Sequence, residues 1–361
     1  MRIAILGTRG IPAKYGGFET FAEELSWRLA ERGHRVTVYC RVNPETKVYR
    51  GVQLTYLPTI RHKYLDTLAH TFLSTLHLVL HRTDVALYCN AANAIFTGLP
   101  GILGIPVALN VDGIERKRRK WNGMAKAWYF LSERIATVLP RTVVSDARVI
   151  QDYYLSRYKK KTTFIAYGAD TEPVTTVEVL GQLGLAKQQY FLYVSRFEPE
   201  NHPLMVRRAF ESVQTSMRLA LIGDAPHARD YIAQVRATDD PRIVIPGAIY
   251  GQGYRELGQW CFAYIHATEV GGTHPALIEA MGLGALVLYR NTPENAEVCG
   301  DCGLRFDTEA ELAEKIRFTL AMEETDRAQY RLRALGRVRE RYSWAAVTSQ
   351  YERLFTEISR H

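Results

Sequence analysis

Twice along this chain a short apolar run gives way to a glycine-bearing loop, an amphipathic helical pattern and a second apolar run. This alternation limits the possible folds more than any other feature. Ile3 to Leu6 ends at Gly7, and a glycine-rich loop leads to Gly16-Gly17. From Phe18 to Glu31, Phe21, Leu25 and Leu29 recur at helical spacing, Gly33 stops the helix, and Arg35 to Cys40 reads as the next strand. Strands joined by such a helix pair in parallel. The pattern continues with strands at Val85–Cys89, Pro106–Val111, Arg141–Ser145 and Thr163–Ile165, and helices at Trp128–Val138 and Ala147–Tyr158. It weakens between Ala169 and Gln189, then restarts at Tyr190–Val194, with a helix at Leu204–Val213 and strands at Arg218–Ile222, Ile243–Ile245, Ala263–His266 and Leu286–Tyr289. Helices are expected at Pro275–Gly282, Glu309–Glu323, Arg327–Tyr342 and Trp344–Ile358.

The expected fold class is therefore α/β, with two Rossmann-like, doubly wound parallel-sheet domains facing across a cleft. The first spans 1–168, a linker 169–189, and the second 190–343, while the closing segment 344–361 crosses back to the first. A length of 361 residues suits two domains. In such sheets ligands bind at the carboxyl ends of the strands, so function is sought in the loops that follow them.

Charge divides between the halves. The chain is +8 overall; residues 1–170 hold 25 Lys and Arg against 13 Asp and Glu, a net +12, and 171–361 are net −4. One half thus faces something anionic. Five scattered cysteines form no disulfide framework, which points to a reducing, cytoplasmic setting. The Cys299–Cys302 pair lacks the second pair that a structural zinc site needs. No stretch is long and apolar enough to span a bilayer; Leu65 to Leu80 comes nearest, interrupted by Asp66, His70 and His77.

Gly7 and Gly10 resemble part of a dinucleotide fingerprint, but the full spacing is absent and the second strand ends in Cys40-Arg41 rather than an acidic residue, which leaves only an NADP reading with Arg41 on the 2′-phosphate. Gly16-Gly17, directly before a helix, allow close approach of an anion to the helix N-terminus; the alternative is a plain tight turn. Arg196, just after a strand, suits a diphosphate, though surface arginines are common. Gly223 ends the next strand. The segment Glu269-Val270-Gly271-Gly272-Thr273-His274-Pro275, followed by Glu279, joins a glycine pair to a proline-opened helix carrying a carboxylate. Backbone amides there suit phosphate or sugar oxygens, and Glu279 suits a ribose or simply the helix dipole.

These residues, in this order, resemble the retaining GT-B glycosyltransferases of the large sucrose-synthase-like class. The resemblance rests on Gly16-Gly17, Arg196, and Glu279-Ala280-Met281 followed by Gly284-Ala285-Leu286-Val287. A narrower likeness, to bacterial rhamnosyltransferase-type enzymes of polysaccharide assembly, rests on Gly7-Thr8-Arg9-Gly10-Ile11-Pro12, Tyr15-Gly16-Gly17-Phe18-Glu19-Thr20, Val111-Asp112-Gly113-Ile114-Glu115, Pro199-Glu200-Asn201 and Val270-Gly271-Gly272-Thr273. The resemblance implies transfer of a sugar such as L-rhamnose from a dTDP- or UDP-sugar, with retention, to a lipid-linked glycan or oligosaccharide. It implies a catalytic set of Asp112, Arg196 and Glu269. Its donor set is Gly16, Gly17, Arg196, Gly223, Ile249, Tyr250, Gly271, Gly272, Thr273 and Glu279, and its acceptor set is Arg9, Tyr15 and Glu115. No cofactor or metal is expected, since no Asp-x-Asp motif occurs.

The chain also departs from the class. Where the first of two spaced glutamates belongs stands Gly271, with Glu269 two residues earlier; Asn201 replaces a lysine, and Asp112 a histidine. The runner-up is a nucleotide-sugar 2-epimerase of the same fold. The basic run Arg116-Lys117-Arg118-Arg119-Lys120 with Trp121 reads as a patch for an anionic membrane surface on the inner face of the cell membrane, or as a solvated loop. No nucleic-acid module accompanies it.

Overall fold

The computed structural model describes residues 1–13, 16–60, 62, 65–118, 121–225 and 228–360. The chain divides into two compact units, Met1–Tyr167 with Trp344–His361, and Gly168–Ser343.

In the first unit β1 (Arg2–Leu6), α1 (Gly17–Glu31) and β2 (Arg35–Cys40) form the opening strand–helix–strand. Next come β3 (Val48–Tyr49), β4 (Val52–Tyr56), α2 (Asp66–His81), β5 (Val85–Cys89), a 3-10 turn at Ala91–Thr97, α3 (Gly98–Ile102) and β6 (Val107–Asn110). A short turn at Glu115–Lys117 precedes α4 (Gly123–Ala136), β7 (Thr142–Ser145), α5 (Arg148–Tyr158) and β8 (Thr163–Phe164). The eight strands lie in the order β3-β4-β2-β1-β5-β6-β7-β8, parallel except for the β3–β4 hairpin. Alternate strand residues (Ala4, Leu6, Ala86, Tyr88, Val107, Leu109, Val143) make one core with Leu78, Ala136, Ile150 and Tyr154 from α2, α4 and α5.

The second unit runs α6 (Glu178–Gln182), β9 (Tyr190–Val194), α7 (Pro203–Glu211), β10 (Arg218–Ile222), α8 (Arg229–Arg236), β11 (Ile243–Gly247), α9 (Gly251–Trp260), β12 (Ala263–His266), α10 (Pro275–Gly282), β13 (Val287–Arg290), α11 (Pro293–Cys299), β14 (Gly303–Phe306), α12 (Glu309–Ala321) and α13 (Glu324–Arg341). Its strands are all parallel, in the order β11-β10-β9-β12-β13-β14. The stretch 169–189, read from sequence as a linker, lies inside this unit: it contains α6 and buries Val174, Leu180 and Leu185. The last helix, α14 (Trp344–Ser359), belongs to the first unit, where Tyr351 and Phe355 are buried, Tyr351 meets Phe21 of α1, and Glu352 holds Arg32 and His34. All five cysteines are free and buried, and burial raises the thiol pKa of Cys299 and Cys302.

Candidate active site

Each sheet reverses strand order beside its first strand: β1 lies between β2 and β5, and β9 between β10 and β12. Crevices for ligands open at such switch points, beyond the carboxyl ends of the strands. The loops that follow β1, β5, β9 and β12 are therefore the places to look.

In the second unit, Ser195 follows β9 and its hydroxyl lies 3.5 Å from that of Thr268, which follows β12. The Arg196 guanidinium stands 3.8 Å from the Glu198 carboxylate, and the Asn201 amide donates to the Arg196 carbonyl at 2.7 Å. Asn201 is thus turned inward as a clamp on the arginine loop. The neighbouring Gly223 has φ 157°, and a Cβ there would lie 1.8 Å from the Ser195 carbonyl oxygen, so only glycine lets β10 end this close to β9.

The loop after β12 is braced from its flanks. The Glu269 amide donates to the Glu200 carbonyl at 2.9 Å. One Glu269 carboxylate oxygen is 2.8 Å from His202 Nε2, and the other is 3.9 Å from Arg290. This carboxylate, expected to act in catalysis, is engaged in tying together the loops after β9, β12 and β13. Gly271 lies against the His274 ring, whose Nδ1 meets Asn295 Oδ1 at 2.8 Å. Gly272 and Thr273 are buried just before Pro275 opens α10. In α10, Glu279 accepts a hydrogen bond from the hydroxyl of the half-buried Tyr254 at 2.7 Å. Tyr250 is half-exposed at the start of α9, next to the half-buried Ile249. Arg196, Gly223, Glu269, Gly271, Gly272 and Thr273 thus follow strand ends of one sheet, and Glu279 lies in the helix after β12.

Sequence reasoning missed four residues here. His202, Tyr254 and His266 belong to no motif, and Glu200, though part of Pro199-Glu200-Asn201, was given no role; only folding reveals their neighbours. Glu200 is 1% exposed, and neither carboxylate oxygen has a hydrogen-bond partner among the described residues. His266, at the end of β12, is held neutral by burial, with the His274 ring beside it.

In the first unit the loop after β1 is tied to its own helix. The Arg9 amide donates to Glu19 at 2.9 Å, and the Ala13 amide to Glu23 at 2.5 Å. Gly16 precedes α1, and its carbonyl accepts from the Glu19 and Thr20 amides; Gly17 is the helix's first residue. Asp112 follows β6 with φ 54°; its amide donates to Asn110 Oδ1, and its carboxylate accepts from the Tyr167 hydroxyl at 3.3 Å. Burial raises the Asp112 pKa, nearby Glu115 raises it further, and Arg118 opposes both.

The basic run departs from expectation. Arg118 is 6% exposed and donates to Glu115 at 2.5 Å, while the Trp121 indole donates to the other Glu115 oxygen at 3.3 Å. Glu115, expected at the acceptor, is held by these internal contacts. Arg118 cannot meet a lipid surface, because desolvating a guanidinium demands a carboxylate close by and it has found one inside. Arg116 is also turned inward, onto the buried Glu133 and the Tyr153 hydroxyl, and Trp121 packs on Tyr129. Lys117 is exposed. Tyr15, Arg119 and Lys120 lie outside the described residues.

Residues 15–173 match the family described as Glycosyltransferase Family 4, and residues 188–322 that described as Glycosyl transferases group 1. No curated protein matches the sequence. Solved structures share the fold over nearly the whole length. HepE from Anabaena, in complex with UDP-glucose, is 17% identical with a TM-score of 0.80, covering 99% of this chain and 100% of that one. Sucrose-phosphate synthase from Thermosynechococcus elongatus is 17% identical with a TM-score of 0.79, covering 99% and 98%. An alpha,alpha-trehalose-phosphate synthase (UDP-forming) from Burkholderia xenovorans is 11% identical with a TM-score of 0.74, covering 99% and 100%. With a family 4 domain ahead of a group 1 domain on two parallel-sheet units, the chain belongs to the glycosyltransferases of the GT-B fold.

Proposed function

We propose that the second unit binds a nucleoside diphosphate sugar and that the protein transfers the sugar, with retention, to a lipid-linked glycan or oligosaccharide on the inner face of the cell membrane. The observation that carries this reading is the placement of Arg196 and the Gly271–Thr273 segment in the loops after the adjacent strands β9 and β12, with Glu279 in the helix that follows. Glu279, oriented by Tyr254, takes the ribose, and Ile249 and Tyr250 flank the base. Arg196 and the backbone of Gly271, Gly272 and Thr273 hold the diphosphate, with Gly223 giving it room. Charge develops on the diphosphate as the bond to the sugar breaks, so fixed donors there stabilise the transition state more than the ground state. In retention the departing phosphate takes the proton of the acceptor hydroxyl as that hydroxyl attacks from the same face.

In the first unit, Gly16 and Gly17 offer a helix N-terminus, and Asp112 and Arg9 hold hydroxyls of the sugar or acceptor. Glu269 works through His202 and Arg290, fixing the donor loop. L-rhamnose and a dTDP or UDP carrier follow from the narrower sequence likeness.

Thermal shift against a panel of nucleoside diphosphates and their sugars tests the donor, because a ligand that binds only the folded chain stabilises it by mass action. The matching nucleotide is expected to raise Tm in the wild type and not in Arg196→Ala. Nucleotide release that depends on added acceptor separates a transferase from an epimerase; equal release without acceptor would overturn the reading.

A further inference from the structure

The helix α2 is built inside out. Its inward face carries His70, Thr71, Ser74 and Thr75 beside Leu78, all buried, while its outward stripe is Phe72, Leu76 and Leu80, exposed by 49%, 37% and 80%. Leu65, just before the helix and seven residues ahead of Phe72, extends the stripe and is also exposed. A helix that faces water is expected to show the opposite polarity.

The neighbours of α2 continue the same surface. Phe72 touches Phe96 of the 3-10 turn, with ring centroids 6.2 Å apart. Ile95, Leu99, Ile102 and Leu103 of that turn and α3 are exposed, Ile102 by 85%. Gly98 packs on Leu139 beyond the end of α4, and α4 carries a second exposed apolar stripe at heptad spacing, Met124, Leu131 and Val138. Scattered exposed leucines need no explanation, but a contiguous patch over three adjacent elements marks an interaction site.

Charge identifies the occupant. No charged side chain occurs between Val85 and Val111. The one acid of α4, Glu133, is buried among Arg116, Tyr153 and Tyr158. The exposed cations of this region are Arg82, Lys126, Arg134 and Arg141, with Lys159 and Lys161 following α5, against one exposed acid of α5, Asp152. Arg157 of α5 and Arg134 of α4 both lie over the Phe130 ring. A second copy of the chain docked through this face about a two-fold axis would bring these cationic rims together. A bilayer with anionic headgroups meets both parts at once, apolar stripes in the acyl boundary and cations at the phosphates.

We infer that the outward face of α2, α3 and α4 lies in the surface of an anionic lipid bilayer, and that this face, rather than the basic run at 116–121, anchors the protein. No described helix is long and apolar enough to cross a membrane, so the contact is interfacial. The inference complements the lipid-linked acceptor of the proposed function, and its test needs neither donor nor acceptor.

The test is flotation of the full chain with vesicles of phosphatidylcholine alone or mixed with phosphatidylglycerol. Wild-type protein is expected to float with the mixed vesicles and at least tenfold less with the neutral ones. A triple variant, Leu80→Glu, Ile102→Glu and Met124→Glu, changes only exposed positions and is expected to keep its Tm and lose at least tenfold in flotation. Lys159→Ser with Lys161→Ser is expected to lower flotation with the mixed vesicles only. Lys117→Ser is expected to have no effect. Unchanged flotation of the triple variant overturns the inference, as does equal flotation of the wild type with both vesicles. Wild-type dimers that the triple variant abolishes, with no vesicle binding, would assign the face to self-association instead. A missing nucleotide-induced Tm shift alongside intact flotation would sink the proposed function and leave this inference standing.

Discussion

The two units use one device, a glycine-rich loop between a strand and a helix, and finish it differently. In the first unit the loop after β1 is closed by its own helix, since Glu19 and Glu23 of α1 take the amides of Arg9 and Ala13. In the second, the loop after β12 is held from other elements, by His202 of the β9 loop, Arg290 of β13 and Asn295 of α11. A loop closed locally keeps its shape when the rest of the sheet shifts. A loop braced by three neighbours keeps its shape only in the finished sheet, and it sits where the proposed donor needs several fixed groups at once. The first unit presents apolar and cationic surface outward, and the second gathers polar groups at its strand ends.

The comparison can be broken most severely at the glycines that end the strands. Gly223→Ala places a Cβ 1.8 Å from the Ser195 carbonyl, and Gly7→Ala, at φ 88°, places one 2.3 Å from the Cys89 carbonyl. Each is expected to cost roughly 4 kcal/mol, near the upper end for single substitutions. Thermal unfolding measures it; a Tm close to wild type in either would show that the strand ends are not so tightly joined.

Acid tests the interiors of both units. His70 is held neutral by burial, its pKa lowered from 6.5 to about 4, with Arg41 adding to the shift. Its pKa is depressed in the folded chain, so the unfolded chain takes up a proton first as pH falls. Stability is complete above about 6.5 and declines as pH drops toward about 4, by up to roughly 3 kcal/mol. His266 is shifted the same way in the second unit. His70→Leu and His266→Leu should each flatten the fall of Tm between pH 6.5 and pH 4. An unchanged slope in both would place the acid sensitivity elsewhere.

Smaller changes sharpen the contrast between loops. Glu19→Ala removes the Arg9 amide's partner and is expected to lower stability by about 2 kcal/mol, leaving any nucleotide-induced Tm shift intact. Tyr254→Phe removes one hydrogen bond to a carboxylate, about 1 kcal/mol. It should weaken nucleotide binding about fivefold by calorimetry, with little change in the Tm of the free protein. Equal binding by Tyr254→Phe would mean that Glu279 needs no positioning.

Much of the fold was legible because burial imposes a period. Helices at Gly17–Glu31, Arg148–Tyr158, Pro275–Gly282 and Trp344–Ser359 fall within a residue or so of expectation. The short β3, β4 and β14 were missed, as were α8, α9 and α11. Val48 and Val52 are two β-branched residues on either side of a turn at Arg50-Gly51, too short a stretch for any period to show. At the candidate site, the glycines and Glu279 could be picked out by residue type and spacing. The pairing of Glu115 with Arg118 was not legible, because it is a matter of which side chain turns inward.

By itself the sequence determined two alternating parallel-sheet units, the glycine-bearing loops after their strands, and the charge imbalance between the halves. These follow from local period, turn chemistry and composition, none of which depends on a distant residue. Only the tertiary structure decided that Arg116 and Arg118 are internal ion-pair partners, that Glu269 is bound by His202 and Arg290, and that α2 turns Phe72, Leu76 and Leu80 outward. For Arg116 and Arg118 the deciding energy is the cost of leaving a charge buried without a partner. That cost has no value until the chain has closed around the group.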